Sequence, residues 1–104
     1  MITEIAILTV RLQDKPEFEA SFAQAQHIIS AMDGYLGHEL LQCLEQENQY
    51  LLVVKWENLE AHTVGFRQSS EYQQWKQLLH HFYEPFPTVE HYQAIPHLSS
   101  SSMD

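Results

Sequence analysis

The stretch Gln49-Tyr50-Leu51-Leu52-Val53-Val54-Lys55-Trp56 decides how this chain is read. Its β-branched, aliphatic and aromatic residues suit a strand, in which successive side chains point to opposite faces. Leu52, Val54 and Trp56 therefore share one face, and Leu51 and Val53 occupy the other. A strand lying between helices and water would be apolar on one side only. Ile2–Arg11, the first predicted strand, repeats the feature, with Ala6, Leu8 and Val10 opposing Ile5 and Ile7. One helix layer covers one face, and the uncovered face would be an apolar patch of the kind that marks an association surface. Packing of two sheets in a homodimer is the expected solution. A cavity inside one subunit would weaken a core this small, so the expected pocket is one the dimer encloses.

The remaining elements are placed around these two strands. Tyr35–Leu44 pairs with Gln49–Trp56 across the polar segment Glu45-Gln46-Glu47-Asn48, short enough for a hairpin. Asp14, Pro16 and Glu17 form a helix-start signature in which the Asp14 side chain would accept from the Glu17 amide. Phe18, Phe22, Ala25, Ile29 and Met32 then recur at helical spacing, and Asp33-Gly34 supplies the stop. Asn58 caps a short helix reaching Gln68. Ser69 or Ser70 caps a second one, which carries Tyr72, Trp75, Leu79 and Phe82 on one face and is ended by Pro85 and Pro87. Thr88–Ile95 is the last strand. The order strand, helix, strand, strand, broken helix, strand predicts an α+β, ferredoxin-like domain over residues 2–95, with one antiparallel sheet and helices on one side. Residues 96–104, rich in serine, are expected to form a solvated tail.

Composition narrows the function. In 104 residues, five Lys and Arg stand against fourteen Asp and Glu, and the net charge of −9 disfavours nucleic acid and anionic lipid. Cys43 is the single cysteine, which excludes an intrachain disulfide and suits a reducing cytoplasm. No apolar run approaches the ~20 residues of a membrane helix, and no export signal opens the chain, so a cytoplasmic protein is expected. The three glycines, at 34, 37 and 65, form no phosphate loop.

Seven histidines are the main ionisable resource near neutral pH. Leu59, His62 and Phe66 lie three and four residues apart, which places His62 on an inward, apolar helix face. A desolvated imidazole there stays neutral, as a core histidine bonded to a carbonyl or as a proton acceptor. Tyr72 and Trp75 project toward the same interior and with Phe66 would wall a site for a flat, hydrophobic ligand, or pack as ordinary core. His80 and His81, adjacent on a helix, diverge and fall on the flanks of its apolar stripe; His27 is expected in solvent. No histidine pair has helical metal-ligand spacing, and His91 has no partner histidine on its strand, so no metal site is expected.

Val54-Lys55-Trp56-Glu57-Asn58-Leu59-Glu60-Ala61-His62, Phe66-Arg67 and Ser69-Ser70-Glu71-Tyr72 together resemble the antibiotic biosynthesis monooxygenase family. Asp33-Gly34-Tyr35-Leu36-Gly37 is similar to that family's turn into its second strand. The resemblance implies a dimeric α+β barrel and, as in some members, oxidation of a small aromatic or polyketide-like substrate by molecular oxygen without a cofactor. In that chemistry the protein helps an electron-rich phenolic substrate lose a proton, and the carbanion reduces oxygen. His62 matches the family's helix histidine and is the candidate base. Tyr72 and Trp75 would position the substrate ring, with Phe66, Trp56 and Leu79 completing the substrate-binding set. The alternatives are a non-catalytic dimeric small-molecule binding domain and a haem-binding or haem-degrading relative. Haem-degrading members use an asparagine on the first strand with a tryptophan and a histidine on the helices. This chain has no asparagine in its first strand and carries Phe66 near the tryptophan position, which counts against haem degradation.

Overall fold

The computed structural model describes residues 1–100. Four strands, β1 (Ile2–Thr9), β2 (Tyr35–Gln42), β3 (Gln49–Trp56) and β4 (Val89–Tyr92), form one sheet in the order β2-β3-β1-β4, with every pairing antiparallel. Helices α1 (Lys15–Ile29) and α2 (Ser70–Leu79) cover one face. This is the α+β, ferredoxin-like arrangement read from the element order. The expected tail is a 3-10 turn at Pro96–Leu98 followed by exposed Ser99 and Ser100, and its positions 101–104 lie outside the described residues.

The two-faced strands are as the sequence alternation requires. Ala6, Leu8, Tyr50, Leu52, Val54 and Trp56 are buried beneath the helices. On the opposite face Ile7 is 51% exposed, Leu41 is exposed, and Ile5, Leu51 and Val53 are only partly covered. The helices supply the other half of the core. Phe18, Phe22, Ala25 and Ile29 of α1 are buried, and Phe22 meets Trp75 of α2 edge-on, with ring centroids 5.9 Å apart.

Several local expectations are corrected. Asp14 does not cap α1: its carboxylate pairs with Arg11, Nε to Oδ2 at 2.8 Å, so a charge-assisted bond replaces the weaker cap. The helix ends at Ile29, four residues before the Asp33-Gly34 turn that was expected to stop it. Gly34, at φ +85°, serves the entry into β2 instead. Its carbonyl accepts from the Glu57 amide at 2.8 Å, and a Cβ at this position would lie 2.6 Å from the Ala61 Cβ. The prolines do not end α2, which passes at His80–Phe82 into a 3-10 turn before either is reached. Ser69 caps α2 as expected, accepting from the Tyr72 amide at 3.1 Å.

The short helix after Asn58 is the largest departure. Asn58 Oδ1 does accept from the Ala61 amide at 2.8 Å, but Ala61–Phe66 is a π-helix, with Arg67 N–H bonded to the His62 carbonyl five residues back at 3.0 Å. His62 and Phe66 of this segment are buried, whereas Leu59, which precedes it, is 41% exposed and shares no inward face with them.

Candidate active site

A cavity of about 330 Å³ lies between the sheet and its own helices. Glu4, Ala6, Leu8, Leu52 and Val89 form its floor; His62, Phe66 and Arg67 of the π-helical segment, with Tyr72 and Trp75 of α2, form its wall. His80, Tyr83, Phe86 and Pro87 close the remaining side. All fourteen lining residues come from one chain. Rings at 66, 72, 75, 83 and 86 and the small side chain of Ala6 line it together.

Of the expected site residues, His62, Phe66, Tyr72 and Trp75 line this cavity together. Trp56 and Leu79 do not. Leu79 is fully buried in the core beyond the cavity, and Trp56 lies behind His62, stacked on its ring at 5.4 Å and 19°. Alternation places Trp56 on the correct face, but β3 ends there, beneath the imidazole rather than beneath the cavity. His80, assigned to the flank of α2, is a lining residue because the change to a 3-10 turn rotates it inward. Its ring packs against Tyr72, Tyr83 and Phe86 at 5.9, 5.8 and 4.9 Å. His27 is exposed.

Glu4 is the residue that sequence reasoning missed. It is 6% exposed on the buried face of β1, and His62 is 3% exposed above it. Glu4 Oε1 accepts the Trp56 indole N–H at 2.9 Å and lies 3.3 Å from His62 Nε2. The other ring nitrogen, His62 Nδ1, is 2.8 Å from Nε2 of His91, which β4 sets directly opposite Glu4 in the sheet register. The two histidines are 29 residues apart, so no local spacing announces the contact. A signal did exist for Glu4, as the charged position on the otherwise apolar inner face of β1.

Burial dominates the electrostatics. It raises the Glu4 pKa, against the lowering effects of the Trp56 hydrogen bond and the Arg67 charge. The same burial, then Arg67 and His91, lowers the His62 pKa to about 3. His91 is lowered by burial and by Arg67, and His80 by burial and by Lys76. An ionised Glu4 would favour a charged His62, yet both groups resist charge here, and a neutral imidazole is the state the surroundings support. Among the described residues no group of three or more His, Cys, Asp and Glu side chains is arranged to hold a metal ion; Glu4, His62 and His91 are joined end to end instead. Nor is any helix among them long and apolar enough to cross a membrane.

Comparison with known proteins agrees with this architecture. The chain is 56% identical over 95 residues to the uncharacterized protein YczJ of Bacillus subtilis, covering 91% of this chain and 100% of that protein. It is 33% identical over 60 residues to a mycobilin-producing heme oxygenase of Mycobacterium tuberculosis, 58% of this chain and 57% of the oxygenase. Among solved structures, a Bordetella bronchiseptica protein assigned to the antibiotic biosynthesis monooxygenases superposes with a TM-score of 0.85 at 36% identity, covering 90% of this chain and 96% of that one. The model of the family described as antibiotic biosynthesis monooxygenase matches residues 1–78, three quarters of the sequence and most of the cavity wall, and the chain belongs to that family.

Proposed function

We propose that this protein is a monooxygenase that uses molecular oxygen, without a metal or flavin, on a small, flat, electron-rich aromatic or polyketide-like substrate held in the cavity. The observation that carries this reading is the meeting of an aromatic wall, Phe66, Tyr72 and Trp75, with the buried Glu4–His62 pair in one cavity. Apolar rings select a flat ligand, and burial, which raises the Glu4 pKa, makes its ionised form a stronger base toward a carbon acid than a solvated carboxylate. His62 serves as base through Glu4 in this scheme: its two ring nitrogens are held by Glu4 and His91, so the substrate proton is taken at the Glu4 carboxylate that faces the cavity, and the imidazole holds that carboxylate. A CH2 carbon flanked by aromatic rings loses a proton, and its carbanion gives electrons to O2. The resulting peroxide regains a proton, and loss of water leaves a carbonyl, so that R2CH2 and O2 become R2CO and H2O.

The protein acts as a homodimer in this proposal, burying Ile5, Ile7, Leu51 and Val53 against a second copy, and it works in the cytoplasm. Oxygen uptake with a panel of anthrones and hydroquinones tests the activity. Wild-type protein should consume oxygen, and His62→Ala should lose at least tenfold in rate; an unchanged rate in that variant removes the proposed base. Saturable binding without turnover in purified, metal-stripped protein would replace the enzyme with a binding domain. Haem, the ligand suggested by the heme oxygenase relative, fits the cavity histidines poorly. His62 has both nitrogens engaged, and the His80 ring is flanked by three aromatic rings. Titration with haemin should therefore give no Soret shift.

A further inference from the structure

We propose that Glu4, His62 and His91 form a proton relay that carries protons between a carboxylate in the cavity and the edge of the sheet outside it. The inference rests on the reading of the cavity as a site of proton transfer. It adds a role for Glu4 and His91 that the reaction alone does not require.

The geometry is a continuous line of exchangeable protons. Glu4 lines the cavity, and both of its polar contacts fall on Oε1, which leaves Oε2 to meet a bound molecule. From Oε1 the line runs 3.3 Å to His62 Nε2, across the ring, and 2.8 Å from His62 Nδ1 to His91 Nε2. His91 does not line the cavity; it stands half-buried on β4, the edge strand, with its Nδ1 still available. A substrate filling the cavity would block water at the mouth, and this second route avoids the mouth entirely.

Two proton arrangements satisfy the bonds. In the first, Glu4 is ionised, His62 donates from Nε2 to Glu4, and His91 donates from Nε2 to His62. In the second, Glu4 is a neutral acid donating to His62 Nε2, His62 donates from Nδ1 to His91, and His91 carries its proton on Nδ1. The second holds one proton more than the first. Passing between them takes one proton from water at His91 Nδ1 and places one on Glu4, with no ring ever holding a full charge at rest. Each passage reverses the tautomer of both imidazoles, so inward and outward passages must alternate. Conversion of a CH2 group to a carbonyl by O2 removes protons from carbon and returns equal numbers to oxygen, which matches that alternation. Burial lowers both histidines, which favours the neutral rings of both arrangements, and raises Glu4, which favours the protonated carboxyl of the second. The other charged or titratable neighbours acting on this line are Arg67, which favours the ionised form of Glu4, and Tyr83, whose own titration is raised partly by the Glu4 charge. In this scheme Glu4 is the catalytic residue facing the substrate, while His91 is a positioning residue that never touches it.

The test is exchange of the His62 ring N–H with water, followed by ¹⁵N NMR in the ligand-free protein and compared among wild type, His91→Gln and His91→Asn. Gln keeps an N–H donor toward His62 but cannot pass a proton through its side chain; Asn serves if the Gln variant does not fold. The relay predicts a slowing of at least tenfold in the variant, partial recovery in His91→Ala on addition of free imidazole, and a matching fall in kcat with KM little changed. Equal exchange rates in wild type and a folded variant would overturn it. If exchange depends on His91 while no anthrone or hydroquinone is oxidised, the relay stands and the monooxygenase reading fails.

Discussion

Acidification should destabilise this protein through His62, whose burial opposes protonation. An unfolded histidine titrates near pH 6.5, whereas the buried ring of His62 titrates at about 3. Between those values the unfolded chain binds a proton that the folded chain refuses. The stability that His62 supports is therefore complete above pH 6.5 and is lost as pH falls toward 3. Integrated from pH 7 to pH 5, the loss is about 2 kcal/mol, from a shift worth about 1.4 kcal/mol per pH unit. Glu4 works in the opposite sense, because its raised pKa makes the folded state gain relative stability as it takes up a proton. The comparison that isolates His62 is therefore wild type against His62→Gln, each unfolded with urea at pH 7 and pH 5. The Gln side chain does not titrate and can still donate to Glu4. Wild type should lose about 2 kcal/mol more than the variant over that interval. Equal losses in the two proteins would mean that the imidazole protonates freely in the folded state, and the argument for a neutral base in a desolvated site would fail.

Other perturbations test separate parts of the structure. Gly34→Ala places a methyl group 2.6 Å from the Ala61 Cβ at φ +85°. It should cost more than the roughly 1–2 kcal/mol of the left-handed conformation alone, and Ala61→Gly in the same background should recover only the steric part in urea unfolding. Trp75→Ala removes a buried ring shared by the core and the cavity wall, and should cost about 3–5 kcal/mol in the same assay while weakening ligand binding. Leu51→Lys puts a charge at the centre of the uncovered sheet face. Light scattering at micromolar concentration should report twice the chain mass for wild type and a monomer for the variant, and a monomeric wild type would end the dimer proposal.

Strand alternation was enough to specify the sheet. Residues 49–56 and 2–10 carry their two apolar faces in the order of their side chains, and a strand's period of two leaves no other assignment. The aromatic wall was legible for a similar reason, since Phe66, Tyr72 and Trp75 follow from caps at Asn58 and Ser69 and from helical spacing. Three things were not legible. The π-turn at Ala61–Phe66 differs from an α-helix by one hydrogen-bond register, which no residue type marks, and the exposure of Leu59 just before it was missed with it. The 3-10 turn after Leu79 swings His80 into the cavity for an equally local geometric reason. Finally, the line from Glu4 through His62 to His91 joins side chains from three segments of the chain. Local periodicity reports which way a residue faces, whereas the partner it meets there depends on how β1, the π-helical segment and β4 pack. The amino-acid order therefore determined the fold and the inward placing of His62, Phe66, Tyr72 and Trp75, and only the packing of distant segments decided that Glu4 and His80 join them in the cavity and that Glu4, His62 and His91 meet.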